Sequence, residues 1–390
     1  MIPRIRNGLC LEVNPEGCLR NTREQINNGA RVFLPATTNQ LRGLESAEAH
    51  RHPRSFNSVL VLGSSGGYGL ASRIIAAFGY HAQTLGVSLE REPADGRDGS
   101  PGWYNNLAFD EETKAANLKS TTLNTDAFSN ATRDLVASAA TCHEFQPFDL
   151  VIYSLASPVR TDPKTGEVYR SVIKPIGEAH TATTVDFITG AMKPVTIPPA
   201  SDDEIRATVK VMGGEDWLLW MRFLRDRNLL APHAKTVAFS YIGPACTQGI
   251  YRNGTLGRAK EDLEATVEKI KCEIGVTAYV SINKAVVTRA SAVIPAMPPY
   301  IAALFKVMKG RGLHEGCLEQ AARLFRERLY TADGIVPTDA QGRIRLDDWE
   351  IRDDVQSETM NLLALMTSEN VFETTDLEGY KNDFLALHGF

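Results

Sequence analysis

No stretch of this sequence approaches the roughly 18 to 20 consecutive apolar residues of a membrane-spanning helix. Its opening, M-I-P-R-I-R-N-G-L-C, lacks the apolar core of a secretory signal, so a cytoplasmic protein with no membrane partner is expected. Cysteine is sparse: Cys10, Cys18, Cys142, Cys246, Cys272 and Cys317 are scattered, with no C-x-x-C pair. That argues against a zinc site or a disulfide framework and suits a reducing compartment. The eight histidines include no H-E-x-x-H pattern, and His314-Glu315 reads as a helix start, so no metal is expected. A surplus of positive charge is missing too. The formal net charge of -5 leaves no general footprint for nucleic acid. Neither an internal repeat nor a long polar linker divides the chain.

What is present is an ordinary globular composition, 43% apolar and 23% charged over 390 residues, enough for one large domain or two ordinary ones. Residues 1–57 alternate short apolar and polar pieces and suggest no chemistry. From Ser58 the run S-V-L-V-L-G-S-S-G-G-Y-G-L-A-S-R-I-I reads as a buried strand, a glycine-rich turn and a helix, the opening of a doubly wound α/β sheet. Gly63, Gly67 and Gly69 are spaced G-x-x-x-G-x-G, not in the G-x-G-x-x-G dinucleotide fingerprint. The physical need is shared: no Cβ where backbone meets a pyrophosphate, and free N–H groups at a helix start. Taken alone, such a turn serves a plain tight connection as readily as a cofactor.

His81 to Glu90 reads as the second strand, and Glu90 stands about 20 residues past the last glycine, where a carboxylate accepts from the adenosine ribose and disfavours a 2′-phosphate. That favours NADH over NADPH. The neighbouring Arg91 also suits the phosphate of NADPH, and the two residues are equally readable as a surface ion pair. Asn124 to Ala127 ends a further segment, with Asp126 in reach of an adenine ring. Phe148 to Ala156 is a central strand whose end, Ser154 to Pro158, would pass under a dinucleotide. Residues 160–200 break into short β-rich runs between turn signals such as Asp162-Pro163 and Thr189-Gly190. An inserted β-meander is expected there, either a lid or a structural excursion. Ser201 and Glu204 have capping-box spacing, and Trp217, Trp220, Met221 and Leu224 are expected core. Ala278 to Ala285 is another strand, with Val286 to Thr288 at its carboxyl edge. From Ser291 the chain reads as mostly helical, interrupted early by Pro295, Pro298 and Pro299. Lys306, Lys309 and Arg311 form a basic cluster suited to phosphates of coenzyme A or to an acidic carrier protein, though a solvated helix face accounts for it.

The chemistry gathers in Thr236 to Glu264, where a β-branched strand is followed by Tyr241, Tyr251 and Lys260. Tyr251 and Lys260 have eight residues between them, so on one continuous helix at about 100° per residue they would face opposite ways. They converge only if Tyr251 lies in a loop. Asn253-Gly254 is a turn signal, and Leu256, Ala259, Leu263, Val267 and Ile270 begin a helical series just after it. Lys260 is thereby expected in that helix's second turn, reaching back. Tyr241 is also readable as a strand-end core aromatic, and Lys260 as a surface partner of Glu264.

Several segments together resemble, in order along nearly the whole chain, the FabV-type enoyl-acyl carrier protein reductases, a family that includes the monomeric trans-2-enoyl-CoA reductases. They are G-S-S-G-G-Y-G-L-A-S-R-I, G-S-P-G-W-Y-N, Y-S-L-A-S-P-V-R, V-M-G-G-E-D-W, F-S-Y-I-G-P, the Tyr-x8-Lys pair and L-D-D-W-E. The resemblance implies a Rossmann-type, short-chain-dehydrogenase-like mostly parallel sheet with flanking helices. One domain over 1–390 is expected, with a dinucleotide-binding core at about 58–290, the β-rich insertion at about 160–200 and a helical substrate-side extension at about 291–390. It further implies a monomer that reduces a 2,3-trans-enoyl thioester, of coenzyme A or acyl carrier protein, with NADH in fatty acid biosynthesis. Carried over by residue, Tyr251 is the catalytic tyrosine, Tyr241 a substrate-binding tyrosine and second donor, and Lys260 the cofactor lysine, expected also to lower the Tyr251 pKa. Nucleotide contacts fall on Gly63, Ser64, Ser65, Gly66, Gly67, Tyr68, Leu89, Glu90, Asp126, Ala127, Leu155, Ala156, Lys260, Val286, Val287 and Thr288. One departure stands nearest the chemistry: many bacterial members carry T-W-P before Ile-Tyr, where this chain has Thr247-Gln248-Gly249. That run is more like the enoyl-CoA branch. A carbonyl reductase on the same scaffold, or a nucleotide sensor without turnover, are the other readings.

Overall fold

The computed structural model describes residues 3–6, 8–32, 56–289 and 291–390. Seven strands organise it: β1 (Ser58–Leu62), β2 (Gln83–Ser88), β3 (Ser120–Asn124), β4 (Phe148–Tyr153), β5 (Leu230–Ser240), β6 (Thr277–Ile282) and β7 (Ile344–Arg345). Their order is β7-β6-β5-β4-β1-β2-β3, and every neighbouring pair is parallel. Winding runs outward from β1 in one direction and from β4 in the other. The β1/β4 junction is therefore the switch point where the carboxyl edge of such a sheet opens a crevice.

The apolar runs of β1 and β4 are explained by cover on both faces. Val59, Val61, Leu150 and Ile152 join one buried cluster with Leu70, Ile74, Leu318 and Phe325. Leu60, Leu62, Val151 and Tyr153 join a second with Trp217, Trp220, Met221 and Leu263. The expected tryptophan stripe is core, and its indole N–H groups are satisfied, Trp217 on Thr236 Oγ1 (2.8 Å) and Trp220 on the Ala127 carbonyl (2.9 Å). A third cluster spans the carboxyl edge and unites Val185, Phe187, Tyr241, Ile250, Tyr300 and Ile301. It is this cluster that holds the chemistry-bearing loop against the C-terminal helices.

Several expectations are refined. The β-rich insertion is two separate hairpins, Val159–Thr161 with Val168–Arg170 and His180–Val185 with Met192–Ile197, so it is not one meander. The capping box at Ser201 is formed, with Glu204 N–H donating to Ser201 Oγ (3.2 Å) and Ser201 N–H to Glu204 Oε2 (3.0 Å). Pro298 and Pro299 occupy the first turn of helix Met297–Gly310, where a missing N–H costs nothing, and so begin that helix without interrupting it. Two of the elements that were not foreseen bear on the fold's edges. Strand β7 is only two residues long, too short to show alternation. Helix Pro15–Val32 lies in the stretch that suggested no chemistry, and it docks on helix Pro101–Ala115 through Arg23 with Glu111 and Glu112; the end of that stretch, 33–55, is outside the described residues. Among the described residues no helix is long and apolar enough to cross a membrane.

Candidate active site

The turn after β1 separates two jobs for glycine. Gly63 has φ +89°, and a Cβ there would collide with the Ser154 carbonyl of the chain leaving β4. A Cβ on Gly69 would strike the Gly63 carbonyl, so this glycine lets helix Gly67–Ile74 lie close on the strand. Gly66 and Gly67 differ: nothing stands within 4 Å of where their Cβ atoms would be. Gly66 is the N-cap in extended backbone, with no side chain capping the helix. The first N–H groups of a helix lack intrahelical partners. Here they face a cradle that side chains would fill, and that geometry fits a pyrophosphate. Ser64 points inward, fully buried, while Ser65 Oγ donates to Glu90 Oε1 (2.6 Å). The Tyr68 side chain turns away under the sheet edge, donating to the Lys284 carbonyl (3.0 Å) with its ring 5.2 Å from that of Phe239. Only its backbone belongs to the cradle.

The remaining nucleotide candidates gather at the same edge. Glu90 follows β2, its second oxygen accepts from Ser100 Oγ, and its backbone exchanges hydrogen bonds with the Asn124 amide (2.7 and 2.9 Å). Leu89 beside it is 68% exposed. Arg91 forms no ion pair among the described residues; its guanidinium donates to the Asp98 carbonyl (3.2 Å), so the simple ion-pair reading does not hold. Asp126 Oδ1 accepts from Phe128 N–H (2.9 Å) just after β3, and Leu155 and Ala156 follow β4 past the Gly63 contact. Val286 to Thr288 follow β6, with Thr288 and Ser291 bonded reciprocally (2.8 and 3.0 Å). No group of three His, Cys, Asp or Glu is placed to hold a metal among the described residues.

Tyr251 is in a loop, as its spacing from Lys260 requires. A short turn, Ala245–Gln248, precedes it, and helix Thr255–Ile274 follows. The loop is clamped: Thr255 N–H and Oγ1 reach the carbonyls of Lys174 (2.9 Å) and Val172 (2.5 Å), from the segment between the two hairpins. The Tyr251 ring meets the Tyr241 ring edge to face, centroids 4.9 Å apart and planes at 86°. Its hydroxyl has no hydrogen-bond partner among the described residues. Burial raises its pKa to about 12. Burial is the cause of that shift, and Lys260 does not offset it, contrary to expectation. Its Nζ donates to the Phe239 carbonyl at the end of β5 (3.2 Å), and burial lowers its own pKa to about 8 against the pull of Glu264. Nor is Lys260 the ion-pair partner of Glu264, which binds Arg252 (3.0 Å) and Arg343 (3.4 Å).

Tyr241 is also engaged within the protein. Its buried hydroxyl donates to Glu350 Oε1 (3.0 Å) in this structure. Glu350, fully buried, also accepts from Tyr300 Oη (2.6 Å) and from Ala285 N–H (2.7 Å). Glu350, Tyr300 and the buried Lys284 were not among the candidates. The only signal for them was L-D-D-W-E, whose last residue is this glutamate.

The departure at Gln248-Gly249 has a spatial explanation. Gly249 has ordinary helical backbone (φ -55°), yet its Cβ would come within 2.9 Å of both imidazole nitrogens of His180, on the second hairpin. Glycine here makes room for that ring. Gly249→Ala should cost about 0.5–1.5 kcal/mol, because the ring it meets is the end of a side chain that must leave its rotamer. His180→Ala in the same chain should restore the melting temperature, as read by calorimetry; equal melting of wild type and Gly249→Ala would contradict this contact.

The basic cluster on helix Met297–Gly310 is mostly ion-paired. Lys309 pairs with Asp376 (2.6 Å), Arg311 with Asp354 and Glu358 (both 2.6 Å), and Lys306 donates to the Glu373 carbonyl (3.4 Å). Two of its three cations are thus ion-paired, as on a solvated helix face.

Comparison with known proteins agrees with this geometry. The trans-2-enoyl-CoA reductase catalytic region matches residues 97–330, and the NAD(P)H binding domain of trans-2-enoyl-CoA reductase matches 1–95. An enoyl reductase FAD binding domain matches 338–390. That last segment has no glycine-rich strand-to-helix turn like the one after β1, and its buried Glu350 is fully engaged with protein donors, so nothing in it fits a flavin. A Treponema denticola protein named trans-2-enoyl-CoA reductase (NADH) is 50% identical over 389 residues, spanning 100% of this chain and 95% of its own. A Cytophaga hutchinsonii protein named enoyl-[acyl-carrier-protein] reductase (NADH) is 49% identical, spanning 100% and 94%. The crystal structure of Treponema denticola trans-2-enoyl-CoA reductase in complex with NAD superimposes with a TM-score of 0.94 at 49% identity, covering 100% of this chain and 95% of that one.

Proposed function

The chain belongs to the trans-2-enoyl-CoA reductase family, and on that premise we propose how its residues reduce the 2,3-trans double bond of an enoyl thioester with NADH. The observation that carries the reading is Tyr251: a phenol with no hydrogen-bond partner among the described residues, on a clamped loop at the carboxyl edge that also holds the glycine cradle. Relatives named for coenzyme A and for carrier-protein substrates match almost equally well, so the substrate class is the enoyl thioester.

NADH, when bound, supplies a hydride to C3 of the thioester. Gly66, Gly67 and the helix N–H groups would hold its pyrophosphate, Glu90 the adenosine ribose, Asp126-Ala127 the adenine side, and Leu155-Ala156 with Val286 to Thr288 the nicotinamide side. As C3 is reduced, negative charge develops on the thioester oxygen. Tyr251 Oη donates to that oxygen, and a donor placed there favours the charged transition state over the neutral ground state. Burial keeps the phenol protonated at neutral pH, which suits a group that donates a proton. Lys260, cationic below about pH 8, binds ribose hydroxyls and adds positive charge at the end of β5. Tyr241 braces the Tyr251 ring from the side. The hairpin carrying His180 covers the substrate side. The proposal extends to a cytoplasmic monomer working as one domain.

The test is NADH oxidation with a 2,3-trans-enoyl-CoA and with the matching enoyl carrier protein; no oxidation with either overturns the assignment. The same assay reads Lys260. An amine with pKa about 8 is charged below that pH and neutral above it. Accordingly kcat/KM for NADH, which reports the free enzyme, should hold up to about pH 8 and fall above it. Lys260→Met should abolish that limb and Lys260→Arg carry it to higher pH; an unchanged limb in both variants assigns it to another group.

A further inference from the structure

We infer that Glu350 is a positioning residue for Tyr251, setting through one buried carboxylate both the brace behind the phenol and the start of the segment beside the nicotinamide. Glu350 lies in the stretch after β7, far in sequence from the loop it serves. Oε1 accepts from Tyr241 (3.0 Å) and from Tyr300 of helix Met297–Gly310 (2.6 Å). Oε2 accepts from Ala285 N–H (2.7 Å), one residue before Val286 to Thr288. Gln356 closes the far side, its Nε2 donating to Tyr300 Oη (3.1 Å) and to the Glu350 carbonyl (2.7 Å).

A buried carboxylate is costly unless its lone pairs are met by donors, and a well-packed apolar side chain is often as stable in the same volume. What an apolar side chain cannot do is fix three donors from three elements at set directions. Tyr241 is the link to the chemistry. With its hydroxyl pinned on Glu350, its ring has one orientation, and that ring meets Tyr251 edge to face at 4.9 Å. Gly243 (φ +74°) lets the chain fold over the pinned ring, since a Cβ there would lie 2.8 Å from Tyr241 Oη. Ala285 is the link to the other reactant. The donor side and the hydride side of the reaction are thus referred to one pair of oxygens.

The inference rests on Tyr251 being the proton donor, and the test separates the two claims. Glu350→Gln keeps the volume but has one acceptor oxygen, so with that oxygen on Ala285 N–H both tyrosine hydroxyls face an amide NH2 and lose the acceptor that fixes them. In the Tyr251 enzyme it should lower the single-turnover rate of NADH oxidation by about 100-fold, the order of loss produced by a misplacement of about 1 Å. In the Tyr251→Phe enzyme the loss should be several-fold smaller, because the part exerted through the phenol is gone and only the part exerted through Ala285 remains. A merely structural effect would cost the same factor in both backgrounds, and that result overturns the inference. So does an unchanged rate in the Tyr251 enzyme. If Tyr251→Phe alone leaves the rate unchanged, the donor assignment fails instead. Should Glu350→Gln not fold, Tyr300→Phe removes one of the two donors to Oε1 and leaves the carboxylate in place. It should show the same dependence on the Tyr251 hydroxyl at smaller size, and equal losses in both backgrounds would again overturn the inference.

Discussion

Tyr251→Phe is expected to lower kcat by about 10²- to 10⁴-fold while the protein stays folded and binds NADH as before. The structure makes this substitution unusually clean. The Tyr251 hydroxyl has no protein partner among the described residues, so its loss strands no donor or acceptor. The ring remains, and with it the edge-to-face contact with Tyr241 and the packing around Ile250. The stability change should therefore be within about 0.5 kcal/mol, the ordinary range for a substitution that breaks no named feature. A hydroxyl that matters only when charge develops on the substrate should depress kcat and kcat/KM together. Steady-state kinetics beside NADH titration and thermal melting check all three statements. A kcat within about threefold of the parent would remove Tyr251 from the chemistry.

The second large effect is at the cradle. Gly66→Asp should raise the dissociation constant for NADH by about 100-fold, some 2.7 kcal/mol, and leave the melting temperature nearly unchanged. The reasoning runs on space and charge. Gly66 has extended backbone that any residue adopts, and open space surrounds the position of its Cβ. Nothing in the fold therefore requires glycine there, and an aspartate at a helix N-cap is itself favourable to the helix. What the side chain would occupy is the cradle, and its carboxylate would stand where phosphates bind. Gly63 is the opposite case: its left-handed backbone and its contact with the Ser154 carbonyl make it a requirement of the chain itself. Isothermal titration beside melting separates the two. Unaltered NADH affinity in Gly66→Asp would mean that the pyrophosphate lies elsewhere.

Much of this site was legible in the sequence, and for a physical reason. Local features declare themselves locally. A strand covered on both faces must be apolar throughout, so Val59 to Leu62 and Leu150 to Ile152 read as central strands. A turn with Gly63 to Tyr68 after such a strand reads equally as a dinucleotide site or a plain tight connection, and the family resemblance chose between them. The eight residues between Tyr251 and Lys260 are incompatible with a shared helical face, which placed the tyrosine on a loop and the lysine on the following helix, where the structure has them. The order of motifs along the chain gave the family.

Tertiary structure alone decided who partners whom. Tyr241 was expected to face a substrate, and in this structure its hydroxyl donates to a carboxylate 109 residues away. Lys260 was expected to act on Tyr251, and its ammonium donates to the Phe239 carbonyl. Gly249 looked like a departure without a cause until His180, on a hairpin far back in the chain, was found in the space a side chain would fill. A side chain's period along the chain reports which face it takes, and that much sequence determines. The charge, donor or ring waiting on that face comes from another element brought there by folding, and for Glu350 that decided everything about its role.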